Sequence, residues 1–499
     1  MGNRTRPVLV GAAQLLQRDV EPLEALEPLA MLAQVARMAA ADSGAPDSAL
    51  GQIDALGVVQ VVGWGAQNGP RLLAQELDAK PSRELVTATG GEIPLTLVNH
   101  LARLIGDGRA RVALVAGCNN LRTLRRARKA DIRLDWTVGG SGEPELFGEN
   151  KPGGTEREVE YGMRMPSDVY PIFENALRSR RGLDLETHRQ RVSALMSRFS
   201  EVAATNPNAW FPIARSAQEI ATVTQQNRMI AFPYTKYMNA ILTTDQAAAV
   251  LMMSEDAARA LGIPEERWVY WWGGAHGEER AWFASERPDF AECAALSDTV
   301  ARTLAGADVT LDQIDHIDLY SCFPVAVEMA CEMIGLDEAD PRGLTVTGGL
   351  PYAGGPGNNY TLHSLATMME RLRANPGARG LVTGNGWYLT KHSACVLASA
   401  PPERECVSLS SHGPVVGGAP EPPIEAAAGR GTVEAYTVLF DREGGPRRGI
   451  VLGRTEEGRR FLANIPDDRD ALESFAAAES VGRVGRLSSA GGHHQFDPN

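Results

Sequence analysis

One cysteine, two histidines and two glycine-rich loops are the residues whose types and spacing suit chemistry. Cys322, in "YSCFPVAVEMACEMIGL", ends a strand-like run and opens an apolar helical pattern. A thiol there suits a nucleophile or an acid–base group, and equally a small buried core residue. His363 begins the helix after "TVTGGLPYAGGPGNNY", and His392 follows a second glycine turn in "GNGWYLTKHSACVL", beside Lys391. Either imidazole set against Cys322 would make a nucleophile–base pair; the alternatives are a histidine at a helix end and one in a polar strand. From Gly348 to Gly357, five glycines and two prolines fall within ten residues. Glycine loops that open helices often hold phosphates or oxyanions. No Gly-Lys-Ser/Thr follows this one and GxGxxG spacing is absent, so it is neither a Walker loop nor a dinucleotide fingerprint. Asn358 and Asn359 suit donors to a ligand oxygen, or simply the unusual backbone angles of such a loop. An earlier loop, "TATGGEIP", also opens a helix, with Glu92 in its first turn, where a carboxylate favours the helix dipole and disfavours a neighbouring thiolate. No metal-ligating set is expected. Cys118, Cys293, Cys322, Cys331, Cys395 and Cys406 form no CxxC pair, and His493 and His494 stand alone near the end.

The chain is long enough, at 499 residues, for more than one core, and its net charge of −13 speaks against a nucleic-acid binder. "RTLRRARK" (Arg122 to Lys129) is a local exception: a solvated helix face, or a docking patch for a phosphorylated ligand. With no apolar h-region at the start and no apolar run of about 18 residues, neither a signal peptide nor a membrane span is expected. Scattered, reduced cysteines point to the cytoplasm.

Elements alternate. "PVLVGAAQLL" reads as a buried strand and turn, "PLEALEPLAMLAQVARMAAADSG" as an amphipathic helix ended by Gly44, "IDALGVVQVVGW" as a strand, "IPLTLVNHLARLIGDGRA" as a helix with Gly-Asp-Gly at its end and "RVALVAG" as a strand, the pattern of a parallel α/β layer fold. The unit recurs. "LGQIDALGVVQV" (from Leu50) matches "LDQIDHIDLYSC" (from Leu311), and "GRARVALVAGCN" (from Gly108) matches "PGARGLVTGNGW" (from Pro376), at separations of about 260 to 270 residues. The boundaries read as 1–266 for the first half with an insertion at 119–240, 267–402 for the second half, a small β-barrel-like domain at 403–485, and a disordered tail at 486–499.

Duplicated α/β halves with a large first-half insertion resemble the thiolase superfamily. "MPSDVYPIFENALRSRRGLDLETHRQRVSALMSRFSEVAATNPNAWFP" is similar to the insertion of sterol-carrier-protein-type thiolases. "TTDQAAAVLMMSEDAARALG" resembles their "SDGAAALVL" strand, with Asp245 at the aspartate. The final domain resembles the additional domain of type 1 thiolase-like proteins, often labelled acetyl-CoA acetyltransferases. The resemblance implies two βαβαβαββ halves stacked as five layers, αβαβα. It puts Thr87 at the nucleophilic cysteine, with Thr89 and Gly90 after it, Gly355 at the family's histidine and Val382 at its second cysteine. Tyr320, Ser321, Cys322 and Phe323 fall on its "HDCF" loop. The implied pocket holds Thr87, Thr89, Gly90, Tyr320, Ser321, Asn358 and Asn385, with catalysis resting on Cys322 and His392 or His363. The implied ligand is CoA, an acyl-CoA or a lipid thioester, with no cofactor required. An acyltransferase of lipid and fatty-acid metabolism, a non-catalytic binder and a scaffold are the open readings. The implied assemblies are a homodimer through the thiolase core or another protein held by the C-terminal domain.

Overall fold

A computed structural model describes residues 5–403, 413–490 and 492–498; Cys406 lies outside them. The first half comprises β1 (Pro7–Leu16), α1 (Pro28–Ser43), β2 (Ala55–Val58), α2 (Gly69–Glu76), β3 (Arg83–Thr87), α3 (Ile93–Gly106), β4 (Val112–Asn120), α4 (Leu121–Lys129) and a short β5 (Glu145–Phe147). Helix α1 shows how locally these elements are specified. Pro28 occupies its first turn, Gly44 ends it at φ 72°, and the apolar stripe between them is buried. The insertion adds α5 (Glu156–Tyr161), α6 (Pro166–Arg180), α7 (Leu185–Thr205), α8 (Ala217–Ala221) and the hairpin β6 (Met229–Ala231) and β7 (Tyr234–Thr235). The chain then returns to the first half through β8 (Asp245–Ser254) and α9 (Glu255–Ala260). Strand β8 is buried along its whole length, as an alanine- and methionine-rich strand covered on both faces should be.

The second half holds β9 (Val269–Glu279), α10 (Ala294–Gly306), β10 (His316–Asp318), α11 (Pro324–Ile334), α12 (Tyr360–Ala374), β11 (Arg379–Gly386) and β12 (Lys391–Ala398). The main sheet runs β10-β11-β12-β9-β1-β8-β4-β2-β3-β5. Read outward from the centre, β9-β12-β11-β10 repeats β1-β8-β4-β2, with antiparallel, antiparallel and parallel pairings in both series. The sequence duplication is thus a structural one, joined where β1 meets β9 at Val8–Tyr270 and Leu9–Val269.

Helices α3 and α12 are buried on nearly every side and pack against strands of both halves, while α1 and α10 cover the outside. The five layers are therefore α, β, α, β, α. Asn99 of α3 clamps the middle layer to the second half. Its side chain accepts from Trp271 Nε1 on β9 (2.9 Å) and donates to the Ala394 carbonyl on β12 (3.0 Å). The approach requires Gly274, where a Cβ would overlap the Asn99 amide.

Beyond the short β13 (Val415–Val416), which lies on β9, the chain forms β14 (Gly429–Phe440), β15 (Pro446–Thr455), β16 (Arg460–Asn464), α13 (Arg469–Ala477), β17 (Val484–Ala490) and β18 (His493–Asp497). Order β14-β15-β16-β18-β17 closes back on β14 as a five-stranded barrel, and the insertion hairpin extends β14 at Ala231–Leu439. The tail expected to be disordered instead supplies β18 and most of β17. Leu487 and Phe496 carry it into the barrel core beside Phe461 and Phe475, two anchors masked in the sequence by polar neighbours. His493 stacks on Tyr161 at 4.3 Å, and His494 is buried against backbone carbonyls. No helix among the described residues is long and apolar enough to cross a membrane.

Candidate functional site

A cavity of about 570 Å³ opens where the first turn of α6, the loop after β3, the loop after β10, the glycine loop before α12 and the end of β11 converge. Its floor is Cys322, Tyr170 and Asn385. Cys322 precedes α11, which Pro324 starts in its first turn, and is 7% exposed. Asn385 donates Nδ2 to the Tyr170 oxygen (2.9 Å) and lies 3.8 Å from Cys322 Sγ. Tyr170 in turn donates to the Trp387 carbonyl (2.8 Å), and its ring stacks on Phe323 at 4.4 Å. Each member of the floor is therefore held by another.

Burial pushes the Cys322 thiol up to about 12, outweighing the Tyr170 hydroxyl and the Phe323 N–H, which pull the other way. At neutral pH this thiol therefore carries far less thiolate than an ordinary cysteine. Iodoacetamide labelling of the folded protein, read by peptide mass spectrometry, should be much slower at Cys322 than at a free thiol; labelling at the rate of a free thiol would rule this out.

The glycine loops of the two halves are tied together beside the floor. The Gly90 N–H donates to Asn358 Oδ1 (3.1 Å), Asn358 Nδ2 donates to the Gln60 carbonyl (3.0 Å), and the Thr89 hydroxyl donates to Gln60 Oε1 (2.7 Å). Gly91 is a required glycine, since a Cβ there would overlap the Tyr320 hydroxyl. Behind this layer Lys391 Nζ meets Glu92 Oε1 at 2.7 Å and donates to the Thr89 carbonyl at 2.9 Å, both side chains being almost wholly buried.

Of the residues expected at the pocket, Thr89, Gly90, Tyr320, Cys322, Asn358 and Asn385 line the cavity. The rest stand elsewhere. Thr87 ends β3 and its hydroxyl accepts the Gln60 N–H (3.0 Å). Gly355 donates its N–H to the Ile241 carbonyl (2.9 Å), and the cavity is reached instead by Gly357 and Asn358. Val382 packs in the core between the sheet and the middle helices. Ser321 is fully buried.

The pairing of Cys322 with His392 or His363 is not formed. His363 lies inside the middle layer with Nδ1 donating to Gln14 Oε1 (2.9 Å), and His392 Nε2 lies 3.1 Å from Cys293 Sγ. Burial lowers both imidazoles to about 3, so both stay neutral. Among the described residues no histidine lines the cavity.

Three cations line the cavity, the exposed Arg125 and Lys236 at its mouth and the half-buried Arg228 with them; motif reading picked out Arg125 and missed the other two. Arg125 belongs to the basic run, whose other members are partly spent. Arg122 pairs with Asp19 (3.7 Å) and Arg126 with Glu21 (2.8 Å). Asp245 sets this helix in place by accepting from the Arg122 and Thr123 N–H groups and the Thr123 hydroxyl. Met165, Ile230, Ile241, Leu242 and Leu350 supply the cavity's apolar lining, Met165 and Leu242 from its exposed part. Tyr170 carried a signal in the "MPSDVYPIF" segment; Arg228 sits in irregular chain and Lys236 opens a single 3₁₀ turn, Lys236–Met238, and neither carried one.

No curated protein matches the sequence. The family described as the thiolase-like protein type 1 additional C-terminal domain matches residues 415–492. Solved structures share the fold. The acetyl-CoA acetyltransferase from Syntrophomonas wolfei is 14% identical over 80% of this chain and 100% of that one (TM-score 0.58). The dimeric peroxisomal thiolase of Saccharomyces cerevisiae is 12% identical over 80% of this chain and 98% of that one (TM-score 0.58). A monomeric SCP2-thiolase-like protein type 1 from Mycobacterium smegmatis is 31% identical over 99% of both chains (TM-score 0.82). That likeness runs through both halves, the insertion and the added barrel, and the chain belongs to the SCP2-thiolase-like proteins of type 1.

Proposed function

We propose that this protein binds a CoA thioester, an acyl-CoA or a related lipid thioester, in the cavity above Cys322, and that it holds the ligand without thiolase condensation. The observation that carries the reading is the mixed lining of one cavity: three cations, two of them exposed, a set of apolar side chains, and the hydrogen-bonded Cys322–Tyr170–Asn385 floor. A polyanionic head, an acyl or pantetheine stem and a thioester carbonyl would meet these in turn. Condensation needs a thiolate and a base that moves an α-proton. Cys322 is held protonated, and the nearest candidate imidazoles are neutral and face other layers. Binding rather than acyl transfer is the function this supports, in lipid or fatty-acid metabolism and in the reducing cytoplasm, which suits the buried free cysteines among the described residues.

Calorimetric titration with CoA and acyl-CoAs tests the reading. Binding at micromolar concentrations is expected, and none at millimolar ligand would sink it. After incubation with acetyl-CoA, intact-mass spectrometry is expected to show no adduct; an acyl group on Cys322 would replace the binding reading with acyl transfer.

We also propose that the chain works as a monomer. The first-half edge strand β3, through which a thiolase core would pair, is covered by β5 of the same chain, in register at Leu85–Glu145, Val86–Leu146 and Thr87–Phe147. Arg83 and Glu145 pin the cover at 2.7 Å. A light-scattering mass near 53.6 kDa at micromolar concentration is expected, and a mass of twice that would contradict it.

A further inference from the structure

Three acid–base side chains meet away from the cavity, where α6, α7 and α11 pack together. Glu174, His188 and Glu328 are buried, and one ligand atom from each lies within 4.8 Å of the others. Glu174 Oε1 and His188 Nε2 are 2.7 Å apart, yet neither atom has a hydrogen-bond partner of acceptable geometry, and Glu328 Oε2 has none either. The remaining oxygens are spoken for. Glu328 Oε1 takes Arg181 Nη1 (2.7 Å), and Glu174 Oε2 takes the Tyr234 hydroxyl. Arg191 serves Glu338 (2.8 Å), and Arg181 shares itself with Glu332 and Glu338. Among the described residues no arginine or lysine forms an ion pair with Glu174, so a buried carboxylate stands without a cation.

We infer that Glu174, His188 and Glu328 hold a divalent first-row transition-metal ion of the zinc class. Two carboxylate oxygens and an imidazole nitrogen suit such an ion at about 2.0–2.2 Å from each donor. It would supply a cation to Glu174, which no arginine or lysine among the described residues pairs with, and would take up donor atoms that otherwise meet only one another. The Tyr234 hydroxyl on the far oxygen of Glu174 is the outer partner that orients a ligating carboxylate. The same hydroxyl accepts the Val325 N–H (3.2 Å) in the first turn of α11. The ion would therefore fasten α6 and α11 to each other directly beneath the Tyr170–Phe323 stack, a structural role in which the cavity floor is held from behind. The sequence offered no sign of it, because the three ligands come from three helices with no motif spacing.

The test uses the full chain without an affinity tag, stripped with EDTA and dialysed against zinc chloride, with metal content read by mass spectrometry. The wild type should retain about one equivalent and melt several degrees higher with zinc than without. His188→Gln and Glu174→Gln should lose both the bound metal and the thermal shift. X-ray absorption at the zinc edge of the wild type gives a readout independent of whether the variants fold, and should show one imidazole, carboxylate oxygens and no sulfur. A wild-type chain that retains no zinc and ignores it on melting overturns the site, leaving two carboxyl groups that share a proton. Zinc held equally by His188→Gln, or bound through sulfur or several imidazoles, overturns it as well.

Discussion

Replacing Lys391 with methionine is expected to remove about 3–5 kcal/mol of stability from the thiolase core, the cost of leaving a buried charge without its partner. Lys391 Nζ is the counter-ion of Glu92 at 2.7 Å, and the two side chains are 7% and 4% exposed. Glu92 Oε2 already has no hydrogen-bond partner, so little else can take up the charge. Lys391 also holds the Thr89 carbonyl, and its loss would loosen the glycine loop that borders the cavity. The double variant Glu92→Met with Lys391→Met should recover most of the lost stability, because an apolar pair of similar volume is often as stable as a buried ion pair. Denaturant melts of the two single variants and the double variant form the cycle. A Lys391→Met protein that unfolds with the wild type would mean that this pair does not fasten the layers.

Charge removal at the mouth should give the largest functional effect. The double variant Arg125→Met with Lys236→Met is expected to bind CoA about a hundredfold to a thousandfold more weakly at low salt, at roughly 1.5–2 kcal/mol for each charge-assisted phosphate contact. Both side chains are exposed, so the fold should be unaffected. Arg228 is a poorer probe, since its guanidinium also holds the Met229 and Asp441 carbonyls. Wild-type affinity should fall as salt is raised, with the Debye length shrinking to about 10 Å at 0.1 M. An uncharged pantetheine thioester should bind the double variant as it binds the wild type. Equal CoA affinity in the two proteins would take the phosphates away from this mouth.

The architecture was legible wherever burial on both faces imposed a pattern. The paired Gln-Ile-Asp segments and the two Ala-Arg strands became β2 and β10, and β4 and β11, at matching places in one sheet. Cys322 was legible because a strand end followed by Pro324 at a helix start fixes where a side chain emerges. The histidines were not, for reasons of face rather than position. In β12 Lys391 and Ser393 point to the middle layer, where Ser393 Oγ donates to the Glu92 carbonyl. His392 points the other way, to Cys293 at the start of α10. The same alternation in β11 sends Val382 to the core and Asn385 to the cavity. His363 follows a cavity loop, but the first turn of α12 carries it inward to Gln14. Of the cations of the mouth, Arg228 and Lys236 come from a loop and a single 3₁₀ turn of an insertion that neither half repeats.

Strand β1 precedes both of its partners in the chain and lies at the centre of the sheet, between β8 and β9. On the ribosome neither of its edges can be covered until Asp245–Ser254 and Val269–Glu279 have emerged. Throughout that interval a valine- and leucine-bearing strand waits unpaired, open to register errors and to other chains. Such distant pairing makes for slow folding. The middle of the sheet is therefore completed late, after β2, β3 and β4 can already pair with one another, so that the nascent first half depends on being shielded until the second half begins to arrive.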